Sequence, residues 1–192
     1  MLNILPAATT PIYLNQMKEM LNQSLFLSLT GKNSRVFLFG DDSNFFYAFK
    51  RLGIKRDLQA YLDLINLFNV DTLDTYIYMS LNPKHDSEKW LIRKLKQNNF
   101  QVFVKEIVER ADGTRKANVD TKIAWDMRDR LDDYDVAILV SGDGDFTCIV
   151  EMLKRSGKCV VVVGLSSMTS RALKNISDYF IDLEDLFFRE AS

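Results

Sequence analysis

Cysteine, proline and histidine are scarce in this sequence of 192 residues, which contains two cysteines, three prolines and one histidine. Cys148 and Cys159 are too few for a disulfide scaffold and lack the spacing of a zinc site. Such usage fits a reducing compartment, so we expect a cytoplasmic protein. We expect the single histidine, His85, on a surface loop. Ser141 has no histidine partner in a recognisable motif, which argues against a serine nucleophile.

The sequence also lacks a long apolar run and an excess of positive charge. No stretch approaches the ~20 apolar residues that span a bilayer, and the first residues lack the basic start and cleavage pattern of a secretory signal. We therefore expect no membrane partner. The formal net charge is -1 and the pI about 5.9. A polyanionic partner must then be held by a local basic patch or through metal ions.

The composition predicts one compact domain, residues 35–192, preceded by an N-terminal arm, residues 1–34. With 47% hydrophobic and 27% charged residues, the chain is long enough for one well-buried domain. The arm holds two of the three prolines and no aspartate, and its apolar residues recur near helical spacing. We expect an amphipathic helical arm that packs on the domain or on a second subunit, as in a homodimer; a solvated leader is the alternative. The apolar positions are Ile12, Met17, Met20, Leu21, Leu25 and Leu29.

From Arg35 onward, short apolar runs alternate with helical periodicities. Runs of four to nine residues predict strands at 36–39, 73–79, 100–108, 136–140 and 159–163, and the last apolar group, 179–188, predicts a short strand or helix. Helices are predicted from Leu58, around Trp90 to Leu95, from Val119 to Leu131 and from Phe146 to Arg155, with Asp57 and Asn118 as caps. Strands separated by amphipathic helices indicate an α/β fold with a mainly parallel sheet covered on both sides. Ligands of such sheets bind at the carboxyl ends of the strands.

Two of the predicted strands end in pairs of acids. The first runs into Gly40-Asp41-Asp42-Ser43-Asn44, and the fourth runs into Ser141-Gly142-Asp143-Gly144-Asp145. If these strands are neighbours, up to four carboxylates meet at one rim, which is costly unless cations neutralise them. Oxygen ligands without a nearby histidine favour Mg²⁺ or Mn²⁺ over zinc. The alternative is a turn and a helix N-cap, with Asp145 accepting backbone hydrogen bonds.

A third acid, Asp120, stands at the start of a predicted helix. Its ordinary explanation is that an acid in the first turn complements the helix dipole. The functional explanation is that it joins the acids at the strand ends, and the residues alone leave both explanations open.

Four blocks of the sequence resemble one known family. They are VFLFGDDSNFF, KANVDTKIAWDM, YDVAILVSGDGDFTCIVEMLKRSGKCVVVVG and SRALKNISDYFIDL, and together they cover about residues 35 to 187. In this order they are similar to NYN domains, which resemble PIN-like nucleases and include the LabA-like proteins. The resemblance implies a Rossmann-like three-layer α/β/α sandwich whose acidic rim binds Mg²⁺ or Mn²⁺ and cleaves RNA phosphodiester bonds.

The resemblance also implies roles for individual residues. Asp41, Asp120, Asp143 and Asp145 correspond to the catalytic, metal-binding acids, and Asn44 and Ser141 are expected beside the cation. One of the strand-end acids not engaged by metal would orient the attacking water. Asp42 departs from the family pattern, which usually has glycine there. An extra carboxylate would join a second metal site, weaken turnover or face solvent, and the sequence leaves these three outcomes open.

Substrate binding requires positive charge and aromatic surface near the rim. Arg110, Arg115 and Lys116 flank the loop before Asp120 and are the predicted phosphate contacts for RNA. One of Phe45, Phe46 and Tyr47 is a candidate for stacking on a base, and at least two of the three are expected in the core. Lys154, Arg155 and Lys158 are expected at the opposite end of the sheet.

Three other functional classes require residues that this sequence lacks. A receiver domain requires a lysine after its final strand, and VVVVGLSS has none. Haloacid-dehalogenase-like phosphatases require Asp-x-Asp after the first strand, and dinucleotide-binding folds require Gly-x-Gly-x-x-Gly; Gly40-Asp41-Asp42 supplies neither. The remaining alternative is a non-catalytic regulatory module that keeps the acidic pocket and binds RNA or protein.

Overall fold

The computed structural model describes residues 34–66, 68, 73–82, 84–109, 115–116 and 118–188. The predicted N-terminal arm, and with it the predicted homodimer contact, lies outside these residues. Among the helices described, none combines the length and the hydropathy needed to cross a lipid bilayer.

The described strands form one six-stranded sheet and one two-stranded ribbon. The large sheet is parallel throughout and has the order β3-β2-β1-β6-β7-β8, whereas β4 and β5 pair antiparallel. The strands are β1 (Val36–Asp41), β2 (Leu73–Leu81), β3 (Gln101–Glu106), β4 (Val108–Glu109), β5 (Arg115–Lys116), β6 (Val136–Val140), β7 (Cys159–Gly164) and β8 (Tyr179–Asp182).

Helices follow most of the strands. They are α1 (Asp42–Leu52), α2 (Leu58–Asn66), α3 (Asp86–Gln97), α4 (Asp120–Asp129), α5 (Thr147–Arg155), α6 (Arg171–Ile176) and α7 (Leu183–Phe188), with 3-10 turns at Gly144–Phe146 and Ser166–Met168. The predicted caps are confirmed. Asp57 accepts a hydrogen bond from the Ala60 amide (3.3 Å), and Asn118 accepts one from the Asp120 amide (2.7 Å).

Alternate residues of each strand pack against helices on opposite faces of the sheet. In β1, Val36 and Leu38 join the cluster formed with α1, α2 and α3, whereas Phe37 and Phe39 join the cluster formed with α4, α5 and α6. All five residues of β6 are buried, as expected for a central strand covered on both sides. The predicted three-layer α/β/α sandwich is confirmed.

The chain reverses its direction of winding between β1 and β6. Strands β2 and β3 lie on one side of β1, and β6, β7 and β8 lie on the other. Such a reversal leaves a crevice at the carboxyl ends of the two central strands. The two acidic loops leave the sheet at this point.

Several boundaries differ from the sequence-based expectation. Helix α1 begins directly after β1, where no helix was predicted, because Asp41 caps the helix and Phe45, Ala48 and Phe49 bury its inner face. The third strand ends at Glu106, and a separate short ribbon follows it. The final apolar group forms both a strand and a helix, β8 and α7.

Candidate active site

The two acidic loops leave adjacent strands at the same level. Strands β1 and β6 pair in parallel with Gly40 opposite Val140, so Asp41 and Ser141 follow side by side. Asp41 ends β1 and is only 2% exposed. The two acid-bearing strands are therefore neighbours, which was the condition for their acids to meet at one rim.

Asp41 is oriented by the first turn of α1. Its carboxylate accepts hydrogen bonds from the Ser43 amide (2.9 Å) and from the side-chain amide of Asn44 (2.5 Å). The carbonyl oxygen of the Asn44 side chain accepts a hydrogen bond from the Gly142 amide (2.9 Å). One asparagine thus connects the end of β1 to the loop after β6 and helps to fix the orientation of the Asp41 carboxylate.

The loop after β6 is shaped by Asp143 rather than by Asp145. The Asp143 carboxylate accepts the Asp145 amide (2.9 Å) and caps the 3-10 turn that leads into α5. The Ser141 hydroxyl oxygen accepts the Asp143 amide (3.2 Å). The alternative in which Asp145 is the cap is wrong, because Asp143 takes that role and the Asp145 side chain is exposed.

Asp120 approaches the same rim from the opposite layer, at the first residue of α4. Burial raises the pKa of the Asp120 carboxyl, and the charges of Asp143 and Asp145 raise it further. Burial likewise raises the pKa of Asp41, against the hydrogen bond from Asn44, and the charge of Asp120 adds to the rise. Asp120 is therefore electrostatically coupled to Asp41, Asp143 and Asp145, although these acids come from three separate parts of the chain.

The donor set suits a hard divalent cation held partly by water. Within the described residues, none of the four acids forms an ion pair with a lysine or arginine. In the same part of the chain, no three Asp, Glu, His or Cys side chains are close enough to hold one ion. Mg²⁺ keeps several waters and binds proteins through one or two carboxylates. The residues fit such an ion, and the metal role of each acid stays a prediction.

Asp42 does not join the acidic rim. Its side chain is 3% exposed and pairs with the Arg56 guanidinium (2.5 Å). It also accepts a short hydrogen bond from the Tyr61 hydroxyl. Of the three outcomes left open by the sequence, a second metal site and a solvent-facing carboxylate are both wrong, because Asp42 is a buried partner of α2 and of the loop before it.

The structure describes the side chains of the predicted aromatic contacts but not those of the predicted basic contacts. Arg110 lies outside the described residues, and for Arg115 and Lys116 the structure describes the backbone of β5. Phe45 is buried, whereas Phe46 and Tyr47 are exposed. The expectation that at least two of these three aromatics pack in the core is therefore wrong.

The expectation of basic residues at the opposite end of the sheet is confirmed. Lys158 donates a hydrogen bond to the carbonyl of Tyr134, which precedes β6, and Lys154 pairs with Asp178, which precedes β8. His85 is exposed at the start of α3, as expected for a surface residue.

The loop after β7 was missed as part of the site. The Ser170 amide donates to the Gly142 carbonyl (2.9 Å), and a Cβ at Gly142 would lie 2.6 Å from the Met168 carbonyl oxygen. The loop after β7 therefore packs against the loop after β6 and stabilises its position. The signal in the sequence was the Ser-x-x-Leu pattern that begins at Ser170.

Comparison with known proteins agrees with this geometry. A protein-family model described as "NYN domain" matches residues 35–184. The low amplitude and bright protein LabA of Synechococcus elongatus is 31% identical over 159 residues, which cover 80% of this chain and 86% of that protein.

Solved structures of two proteins are also similar. A Vibrio parahaemolyticus protein of unknown function, VPA0982, superposes with a TM-score of 0.68 and 25% identity, covering 82% of this chain and 98% of that chain. A mutant T5 5′-exonuclease superposes with a TM-score of 0.42 and 15% identity, covering 73% of this chain and 56% of that one; so low a similarity supports no functional conclusion. The family match spans most of the chain and includes both acidic loops, and the chain therefore belongs to the NYN domain family.

Proposed function

We propose that this protein is a divalent-metal-dependent ribonuclease that hydrolyses RNA phosphodiester bonds. The observation that supports the proposal is that the loops bearing Asp41 and Asp143 follow adjacent strands at the switch point of a parallel sheet, where Asp120 is electrostatically coupled to both loops. Mutually repelling acids in one crevice are tolerable when a hard cation binds there.

The local geometry suggests a division of labour among the acids. Asp41 and Asp143 are held by backbone and amide hydrogen bonds, which makes them suitable as fixed ligands of Mg²⁺ or Mn²⁺. Such an ion supplies Lewis-acid polarisation of the phosphoryl group and activation of a water. Asp145 is exposed, and its carboxylate accepts no hydrogen bond from another described residue. It is therefore the acid we assign to orienting the attacking water.

The proposed RNA contacts extend from both sides of the crevice. Phe46 and Tyr47 follow Asn44 on α1 and expose aromatic faces on which bases can stack. Arg110, Arg115 and Lys116 belong to the segment that leads to Asp120 and are proposed to bind phosphates. Local contacts of this kind are required because the net charge of -1 supplies no overall attraction to RNA.

We also propose a cytoplasmic location and a role in regulating gene expression. The two cysteines are unpaired, and Cys148 is exposed, which suits a reducing compartment. The similarity to LabA covers most of both chains, and a ribonuclease that acts on transcripts would change gene expression directly.

The proposal is tested by Mn²⁺-dependent cleavage of labelled single-stranded RNA. Asp41→Asn and Asp143→Asn are each expected to reduce the rate at least about 100-fold, because each removes a negative charge that holds the cation. Asparagine preserves an oxygen that can accept the backbone hydrogen bonds. Asp132→Asn, an exposed acid before β6, is the matched control and should retain the full rate. Cleavage that survives the double variant would assign the activity to another site or to a contaminant.

The alternative is a non-catalytic regulatory module that retains the acidic pocket and binds RNA or protein. It is favoured by the spacing of the acids, since no three of them in the described residues are close enough to share one ion. Under this alternative, the two Asp→Asn variants leave the biological output intact, whereas deletion of residues 1–30 abolishes it. The nuclease proposal expects the variants to abolish the output.

A further inference from the structure

An open groove of about 510 Å³ lies between the start of α2 and the first turns of α3. Its walls combine basic, aromatic and apolar side chains. The lining residues used below are Lys55, Arg56, Leu58, Trp90 and Leu91.

The groove lies beside the acidic crevice. Arg56 lines it and also contacts Asp42, the residue that follows Asp41. Trp90 is on the second turn of α3, which begins just after β2 ends. Since β2 is parallel to β1, the carboxyl ends of both strands lie at the same edge of the sheet. A chain that leaves the acidic crevice toward β2 therefore runs in the direction of this groove.

Aromatic rings in and beside the groove are exposed, with cations next to them. Trp90 is 48% exposed, and the Lys94 ammonium lies 5.8 Å from the centre of its ring. Phe46 is 40% exposed, and the Arg56 guanidinium lies 5.4 Å from its ring. Exposed aromatic faces interleaved with cations are the features with which proteins bind single-stranded nucleic acid.

The α3 segment beside the groove carries a net positive charge, opposite in sign to that of the whole chain. Residues 84–97 contain five lysines and arginines but only two acids. Asp86 is paired with Lys89, and Glu88 accepts the Asn82 amide. Arg93, Lys94 and Lys96 form no ion pair with another described residue. Asp57, the acid of the groove itself, lies 3.5 Å from Lys55 and accepts the Ala60 amide. The exposed cations are therefore available to phosphates.

We propose that this groove binds the segment of single-stranded RNA that flanks the cleaved bond. One base stacks on Trp90, and the backbone phosphates lie against the ammonium groups of Lys55 and Lys94. Asp42 acts as a positioning residue, since its buried carboxylate holds Arg56 between the crevice and the groove. The inference rests on the proposed ribonuclease function, and it adds a binding site outside the acidic crevice.

The test measures RNA binding separately from cleavage. Fluorescence anisotropy of a labelled single-stranded oligoribonucleotide is recorded with the full chain carrying Asp143→Asn, in Mg²⁺. Adding Trp90→Ala is expected to weaken binding about 5- to 100-fold, which is the loss of one stacked base. Trp125→Ala is the matched control, because Trp125 is 50% exposed and has Arg128 3.9 Å above its ring, but belongs to α4 in the opposite layer. It should leave affinity within about twofold, as expected for a side chain outside the stacking site.

The lysines are tested through salt dependence. Lys94→Ala is expected to lower the slope of log affinity against log salt by about 0.7, which is the release of counterions from one single-strand phosphate. Arg155→Ala, an exposed arginine at the end of α5, is the control and should leave the slope unchanged.

If Trp90→Ala and Trp125→Ala weaken RNA binding equally, or if neither weakens it, the proposal that the groove binds RNA is wrong. An equal loss for a duplex of the same sequence, whose bases are not free to stack on Trp90, would also contradict it. The proposed function is judged by a different readout. If the unmodified chain cleaves RNA but binding does not depend on Trp90, the groove proposal is wrong and the nuclease proposal stands. If binding depends on Trp90 but no cleavage occurs, the groove proposal stands and the nuclease proposal is wrong.

Discussion

Asp41 and Asp42 are adjacent in sequence but differ in whether a cationic side chain neutralises their charge. Asp41 is left without a cationic partner among the described residues, while Asp42 is neutralised by Arg56 and hydrogen-bonded to Tyr61. The difference arises because Asp41 is the extended N-cap residue at the end of β1, whereas Asp42 is the first helical residue of α1, so the two side chains leave the backbone in different directions. A pair of acids that reads as one feature in the sequence is therefore split between a candidate site and a structural ion pair.

At the residue scale, we predict that Asp42→Asn destabilises the fold by about 3 kcal/mol, because it leaves the guanidinium of Arg56 without its buried counter-charge. The side chain of Arg56 is only 18% exposed, so solvent compensates little. Urea unfolding followed by circular dichroism measures the change. Glu151→Gln, which breaks the exposed pair with Arg155, serves as comparison and should cost less than about 1 kcal/mol. Equal small losses would show that the Asp42–Arg56 pair is not structurally important.

The acidic loop after β6 depends on close contact with the loop after β7. Gly142 faces backbone atoms, with the Met168 carbonyl 2.6 Å and the Thr169 Cα 3.1 Å from the position of an added Cβ. Gly144 faces the Ser170 side chain instead, at 2.9 Å from its hydroxyl oxygen. The two glycines of one short motif therefore have different tolerances, because a side chain can rotate away and a packed backbone cannot.

At the element scale, we predict that Gly142→Ala costs about 2–3 kcal/mol through overpacking and displaces the 3-10 turn that carries Asp143. Gly144→Ala should cost less than Gly142→Ala, since the Ser170 hydroxyl can rotate away and only the Ser170 Cβ, 3.2 Å from the added Cβ, has to shift slightly. Thermal unfolding and the Mn²⁺-dependent cleavage rate are measured for both variants. If Gly144→Ala proves the more damaging of the two, the packing of the β6 and β7 loops described here is wrong.

Element prediction from the sequence succeeded where the apolar pattern was unambiguous. The buried runs of β6 and β7 and the helix caps at Asp57 and Asn118 were predicted correctly. Helix α1 was missed, although Phe45, Ala48 and Phe49 have helical spacing, because the polar run Asp41 to Asn44 is equally typical of a loop. The segment forms a helix because the core residues around it bury Phe45, Ala48 and Phe49.

At the scale of the whole molecule, β1, α4 and the loop after β6 bring their acids to one crevice, and this affects stability. The pKa values of Asp41 and Asp120 are raised in the folded protein, mainly by burial. A carboxyl whose pKa is raised on folding contributes stability below its unfolded pKa, and this contribution is lost as the pH rises through the folded pKa. Without a divalent ion, these two acids therefore oppose folding at neutral pH.

We therefore predict that Asp41→Asn raises the metal-free melting temperature at pH 7 by a few degrees, since about 1 kcal/mol corresponds to roughly 2–4 °C in a domain of this size. The gain should vanish as the pH falls below the ordinary carboxyl pKa, because Asp41 is then neutral in both states. Millimolar Mn²⁺ should raise the melting temperature of the unmodified chain and not that of the variant. A variant that is less stable than the unmodified chain in chelator at pH 7 would contradict the account of Asp41.

The sequence by itself determined the fold class and the family, and it proposed the four candidate acids, because strand hydrophobicity, helical periodicity and short motifs are local properties of the chain. Only the tertiary structure decided that β1 and β6 are neighbours, that Asn44 hydrogen-bonds to the loop after β6 and that Asp42 forms an ion pair with Arg56. It also brought Trp90 and Arg56 into one groove beside the crevice. These features depend on strand order and on which helix covers which face, and no local pattern records the distance between residues 42 and 56 or between 44 and 142.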